Sequence, residues 1–152
     1  MKLMTIIRKI DTFLQADDER GMIDWFRQNL RKHPDNLDLS YWFQEALACY
    51  DHDVELANRE PCLLQQCTAV IKDRKNKEPV EVAKAYAYRS EMRYYKVDRV
   101  KDFDKAIDIL NGISHPEKDV VFIREFIAEL YEQHIRRMFQ FYTNARNMFI
   151  IR

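Results

Sequence analysis

The sequence predicts an all-α domain, and three observations carry that prediction. Apolar residues recur at three- and four-residue spacing almost throughout the chain, which is the period of helices buried along one stripe. Two glycines and four prolines in 152 residues are too few for the many tight turns of a sandwich or barrel. An apolar fraction of 47% is enough for a continuous core at this length, so one ordered domain over residues 1–152 is expected.

The breakers divide the pattern into about seven helices. Helix one is expected from Lys2 to Gln15 with Leu3, Ile6, Ile7, Ile10, Phe13 and Leu14 inward. Asp17, Asp18 and Glu19 then supply a cap and dipole-matching acids for helix two, which ends at His33 and Pro34. Asp38 or Ser40 is positioned to cap helix three, which carries Tyr41, Trp42, Ala46, Leu47 and Tyr50 and closes at the polar run Asp51, His52, Asp53. Pro61 suits the first turn of helix four, and that helix ends in a charged turn between Lys72 and Lys77.

Helix five is expected from Pro79 to Val97, with Val82, Ala83, Tyr86, Ala87, Ser90, Tyr94 and Val97 on one stripe. Helix six, Asp102 to Asn111, buries Phe103, Ala106, Ile107 and Leu110, and Gly112 stands where a left-handed C-terminal cap is common. Pro116 opens helix seven, whose stripe of Val120, Ile123, Ile127, Leu130, His134, Met138, Phe141, Ala145 and Met148 continues without a breaker to Phe149. Such a helix would be about 45 to 50 Å long. Short joins force these helices into antiparallel pairs.

Charge and cysteine content bound the function. With 25 basic against 25 acidic side chains the chain has no overall basic field, so neither nucleic acid nor a membrane surface is the expected partner. Arg8, Lys9 and Asp11 interrupt the apolar N-terminal stretch before it reaches the length of a signal-peptide core. Three cysteines, Cys49, Cys62 and Cys67, are an odd and sparse set, which fits a reduced, cytoplasmic protein better than a disulfide-stapled one.

Two segments, RGMIDWFRQNLRKHPDN at 20–36 and VAKAYAYRSEMRYYKVDRVKDFDKAIDIL at 82–110, carry a resemblance to tetratricopeptide repeats. In the first, Phe26 and Pro34 fall at the aromatic and closing proline of the second repeat helix, with Asn29 where a small residue is usual. In the second, Tyr86, Ser90 and Tyr94 resemble the first helix's aromatic and small positions, and Phe103, Ala106 and Ile107 the opening of the second helix. Residues 38–74 would form the middle repeat, but Pro61 interrupts it, so a helical bundle without repeats stands beside the repeat reading. The resemblance implies a groove lined by helices three and five that holds a peptide or partner helix, with Trp42, Gln44, Tyr88, Arg89, Arg93 and Lys96 as its residues. Ordinary packing and solvation are the plain alternative for these side chains.

The C-terminal helix is the second feature. Phe139, Tyr142 and Phe149, with their apolar neighbours, exceed what one buried stripe absorbs, and the charges after Glu132 are all basic. Such a helix implies self-association into a homodimer or a covering partner, or else a basic amphipathic helix lying on an anionic membrane or RNA; packing within the domain is the plain alternative.

Catalytic and metal patterns are weak. Cys49 and His52 lie at helical spacing with no group to orient the imidazole. Cys49, His52, Cys62 and Cys67 lack the close ligand pair of a zinc knuckle, so no metal or other cofactor is expected. Arg27 and His33 have the R-x5-H shape of some helical ribonucleases of the HEPN type. The expected function is therefore a non-enzymatic interaction module or adaptor that binds a peptide or helix of a partner protein. The alternative is an RNA-binding protein or HEPN-like ribonuclease using Arg27 and His33.

Overall fold

The computed structural model describes residues 1–92, 96–114, 117–118, 120–129 and 132. Among them the fold is all-helical, with no strand: α1 (Leu3–Gln15), α2 (Glu19–Lys32), α3 (Leu37–Cys49), α4 (Asp53–Lys72), α5 (Pro79–Glu91) and α6 (Lys96–Asn111). Residues 120–129 form a further helical segment. Each helix packs on the next in the chain, and α1 also touches α3. The rest of the helix-seven stripe, from Leu130 to Met148, and with it Phe139, Tyr142 and Phe149, lies outside the described residues, as does Arg93.

Local chemistry sets the turns. The Asp18 carboxylate caps α2 by accepting from the Gly21 N–H at 2.9 Å, and a Cβ on Gly21 would stand only 2.1 Å from that carboxylate. The α1–α2 and α3–α4 turns share one device. Asp17 (φ 51°) and Asp51 (φ 60°) take the left-handed conformation, and the next amides, Asp18 N and His52 N, bond back to Phe13 O and Leu47 O at 3.0 Å. Both are Schellman closures with aspartate where glycine is usual; Asp visits this region more easily than most side chains do.

Five boundaries differ from the sequence expectation. Asn36, not Asp38 or Ser40, caps α3, accepting from Leu39 N at 3.0 Å. Helix α4 starts at Asp53, so Pro61 lies inside it rather than in its first turn. Helix α6 starts at Lys96 rather than Asp102, and α5 ends at Glu91. Gly112 is not left-handed: its N–H bonds to Ile109 O at 3.2 Å, tightening the last turn of α6 instead.

Helix α3 contributes to both core clusters of the described residues. Leu39, Phe43, Ala46 and Leu47 join Ile6 of α1 and Met22, Ile23, Phe26 and Leu30 of α2 in one core cluster, where the Phe26 and Phe43 rings stack at 5.4 Å. Tyr41 faces the other way, into a second cluster with α4, α5, α6 and residues Val120, Ile123 and Ile127. A helix apolar on more than one face must be covered on more than one face. Burying each large side chain contributes roughly 1.5 to 3 kcal/mol. Among the described residues no helix is long and apolar enough to cross a membrane.

Candidate functional site

The groove expected on helices three and five is not open. Trp42 is half-buried and packs against Phe122 and Phe126, at ring distances of 6.3 and 5.3 Å, so the segment 120–129 covers that face of α3. Tyr88 is fully buried: it stacks on Tyr41 at 4.1 Å, and its hydroxyl donates to Asp38. Arg89 is turned inward onto Asp102 of α6, with Nε donating to Oδ2 at 2.9 Å and Nη2 to Oδ1 at 2.8 Å. The assignment of Tyr88 and Arg89 to a ligand surface is therefore corrected. Helix α5 has neighbours on both sides, so residues off its main apolar stripe are also consumed by packing. Lys96 is the first residue of α6, and its side chain lies outside the described ones.

Gln44, of the same set, lines a cavity. A cleft of about 360 Å³ opens between α2 and α4 with α3 as its floor. Helical spacing builds each wall. Arg27 and Arg31 stand one turn apart on α2; Ser40 and Gln44 do so on α3; Glu55, Arg59, Cys62 and Gln66 follow one face of α4. Leu30, Leu63 and Pro34 supply the apolar part of the lining.

The wall charges are partly spent on one another. Arg27 grips Glu55 bidentately, Nε to Oε1 at 3.2 Å and Nη2 to Oε2 at 2.7 Å, and reaches Asp24 at 3.3 Å. The hydrogen bond from Arg27 holds the Glu55 carboxyl below the usual carboxylate range. Arg59 meets Glu55 only through Nε at 3.8 Å, and its guanidinium lies 4.5 Å from the centre of the Phe43 ring. Arg31 is exposed and has no ion pair among the described residues. With three arginines against one glutamate, the lining has a positive surplus.

The floor has an unusual polar group. Gln44 is only 2% exposed, and neither its Nε2 nor its Oε1 has a hydrogen-bond partner among the described residues. Gln66 donates through Nε2 to Pro34 O at 3.0 Å, tying α4 to the α2–α3 turn, while its Oε1 is buried and unpaired. Buried amides are almost always satisfied, so the Gln44 amide takes its partner from outside the described protein groups, a water or a bound molecule. A second depression of about 420 Å³ near the N-terminus differs here. Its buried charges, Asp38 and Lys84, are already paired at 3.1 Å.

Arg31, Glu55, Arg59 and Gln66 were not singled out from the sequence. The signal was the row Glu55, Arg59, Cys62, Gln66 at turn spacing, but starting helix four at Pro61 cuts that row in two. Arg27 and His33 do not converge on the cleft: Arg27 lines it, whereas His33 is the C-terminal cap of α2 and is not in the lining. Cys49 and Cys62 are exposed and Cys67 is buried in the core, where desolvation pushes its thiol up to about 12. His52 Nε2 lies 3.3 Å from Glu19. Among the described residues no group of three His, Cys, Asp or Glu is placed to hold a metal ion.

The chain matches no protein-family model, no curated protein and no solved structure.

Proposed function

We propose that this chain is a non-enzymatic interaction module that binds a segment of a partner protein in the α2–α3–α4 cleft. The observation that carries this reading is the Gln44 amide, 2% exposed with both polar atoms unpaired, on the floor of a cavity rimmed by arginines. A buried unpaired amide costs stability, and its place in the lining of an arginine-rimmed cleft supports a recognition role. The tetratricopeptide resemblance implied a peptide groove on helices three and five; the cleft proposed here lies instead between α2 and α4, over α3. The odd, sparse set of three cysteines supports a reducing, cytoplasmic setting.

Affinity capture of the tagged chain from its own cell lysate at moderate salt tests this, run with and without nuclease and beside an Arg59→Glu variant. A stoichiometric protein that survives nuclease and is lost with the variant supports the module. Nucleic acid co-purifying without protein would sink it.

A phosphate-directed function is the second reading, favoured by the surplus of Arg31 and Arg59 in the cleft. It predicts binding that weakens steeply as salt rises, and, for a nuclease, cleavage lost in both Arg27→Ala and His33→Ala. The bidentate engagement of Arg27 by Glu55 and the zero formal net charge weigh against it.

A further inference from the structure

We infer that the α2–α3–α4 cleft takes an extended, acidic peptide segment, reading a main-chain amide through Gln44 and a carboxylate through Arg31 and Arg59. The inference rests on the reading of the cleft as the partner-binding site and adds the chemistry of what enters it.

The amide of Gln44 decides the first half. Its Nε2 offers two donors and its Oε1 an acceptor, and none is used within the described fold. A bare carboxylate or phosphate supplies acceptors only and would leave Oε1 buried without a donor. A peptide group supplies an N–H and a C=O together and can satisfy both ends of the side-chain amide. The unpaired Oε1 of Gln66 offers a second acceptor for a main-chain N–H.

Charge decides the second half. Arg27 and Glu55 neutralise each other, so the surplus sits on Arg31 and Arg59. Arg59 is held in orientation by the Phe43 ring and by Glu55, which lowers the entropy lost when it meets a carboxylate. Size decides the conformation. A cavity of about 360 Å³ is at the small end of ligand pockets, and a helix about 10 Å across does not enter it. A helix would also need a long row of apolar anchors, whereas this lining is mixed. Nucleic acid would satisfy the amide through a base edge but would bring a phosphate with every nucleotide to a chain with zero formal net charge.

The experiment is selection from a random peptide display library on the full chain, followed by fluorescence anisotropy with the consensus peptide. Enriched peptides are expected to carry Asp or Glu. Changing that residue to Asn or Gln, or the protein by Arg31→Glu or Arg59→Glu, is expected to weaken binding by about tenfold to a hundredfold. Gln44→Met is expected to weaken it similarly while the variant stays folded by circular dichroism; Arg31→Glu, at an exposed position, tests the site independently of the core. Bound peptide should slow alkylation of Cys62 in the cleft and leave that of Cys49 unchanged.

Peptides without acidic enrichment that still protect Cys62 would overturn the acidic class and leave the cleft as a binding site. Peptides whose binding ignores Arg31→Glu, Arg59→Glu and Gln44→Met and leaves Cys62 reactive would overturn both, as would a selection yielding no peptide. Displacement of the peptide by oligouridylate with a steep salt dependence would overturn the inference in favour of nucleic acid.

Discussion

The Tyr88 hydroxyl donates to Asp38 Oδ1 at 2.6 Å in the buried seam between α3 and α5, and Lys84 Nζ reaches the other oxygen at 3.1 Å. Burial, with the Asp38 charge beside it, pushes the Tyr88 hydroxyl well above the ordinary tyrosine range, so it remains a donor at all working pH values. One carboxylate thus serves a neutral and a charged donor from the same helix, α5.

That asymmetry makes a prediction. Asp38→Ala strips both donors and leaves the Lys84 charge buried, for a loss of about 3 to 5 kcal/mol. Tyr88→Phe removes one hydroxyl and is expected to lose about 1 kcal/mol. Urea denaturation of the two variants measures this; equal losses would mean that the Lys84 pair contributes nothing beyond the tyrosine bond.

Gln44→Met replaces an unpaired amide by an apolar side chain of similar length. Stability is expected to rise by about 1 kcal/mol while binding falls. A loss of stability would show that the amide is satisfied in solution, which would remove the main support for the cleft as a recognition site.

Pro61 lies inside α4 and cannot donate to the carbonyl of Ala57 one turn before it. Pro61→Ala restores that donor and removes the ring clash, so a gain of about 1 to 3 kcal/mol is expected in thermal or urea unfolding. A decrease would mean that α4 is bent at Pro61 to fit α3 and α5.

Glu45 has its carboxyl raised by burial first and by repulsion from Glu91 second, against a hydrogen bond from Tyr41. A raised carboxyl means that the folded state binds its proton more tightly than the unfolded chain does. Its ionisation therefore burdens the fold above the raised value, and the burden disappears as pH falls below the unfolded value of about 4.3. Glu45→Gln is expected to raise the melting temperature at neutral and alkaline pH and to leave it unchanged in acid. The opposite pH dependence would reverse the assignment.

Thiol labelling tests the packing of α4. Cys49 and Cys62 are exposed and Cys67 is buried with its thiol at about 12, so the native chain should lose the first two to iodoacetamide and keep the third until denatured. Fast labelling of Cys67 would contradict its place between α4 and the α5–α6 pair.

What was legible in the sequence was local. The 3.6-residue period placed α1, α2 and α5 nearly to the residue at their starts, because each carries an apolar stripe and an N-terminal signal such as Asp18 or Pro79. Leu3, Ile6, Phe103, Ala106 and Leu110 were expected inward and are buried, whereas Leu14, also expected inward, is exposed. Pro61 misled, since proline favours a first turn by local propensity, and here packing of α4 on both α3 and α5 outweighs that preference. The site depended on relations that periodicity does not contain. Tyr88 and Arg89 looked available because they lie off one stripe, yet α5 is covered from two sides and both reach carboxylates distant in the chain, Asp38 and Asp102. Arg31, Gln44 and Arg59 belong to three helices and share no local pattern. The sequence alone determined that the chain is helical and which faces are apolar, since those follow from side chains a turn apart. The tertiary structure decided which polar groups remain unpaired, because pairing depends on which helices become neighbours.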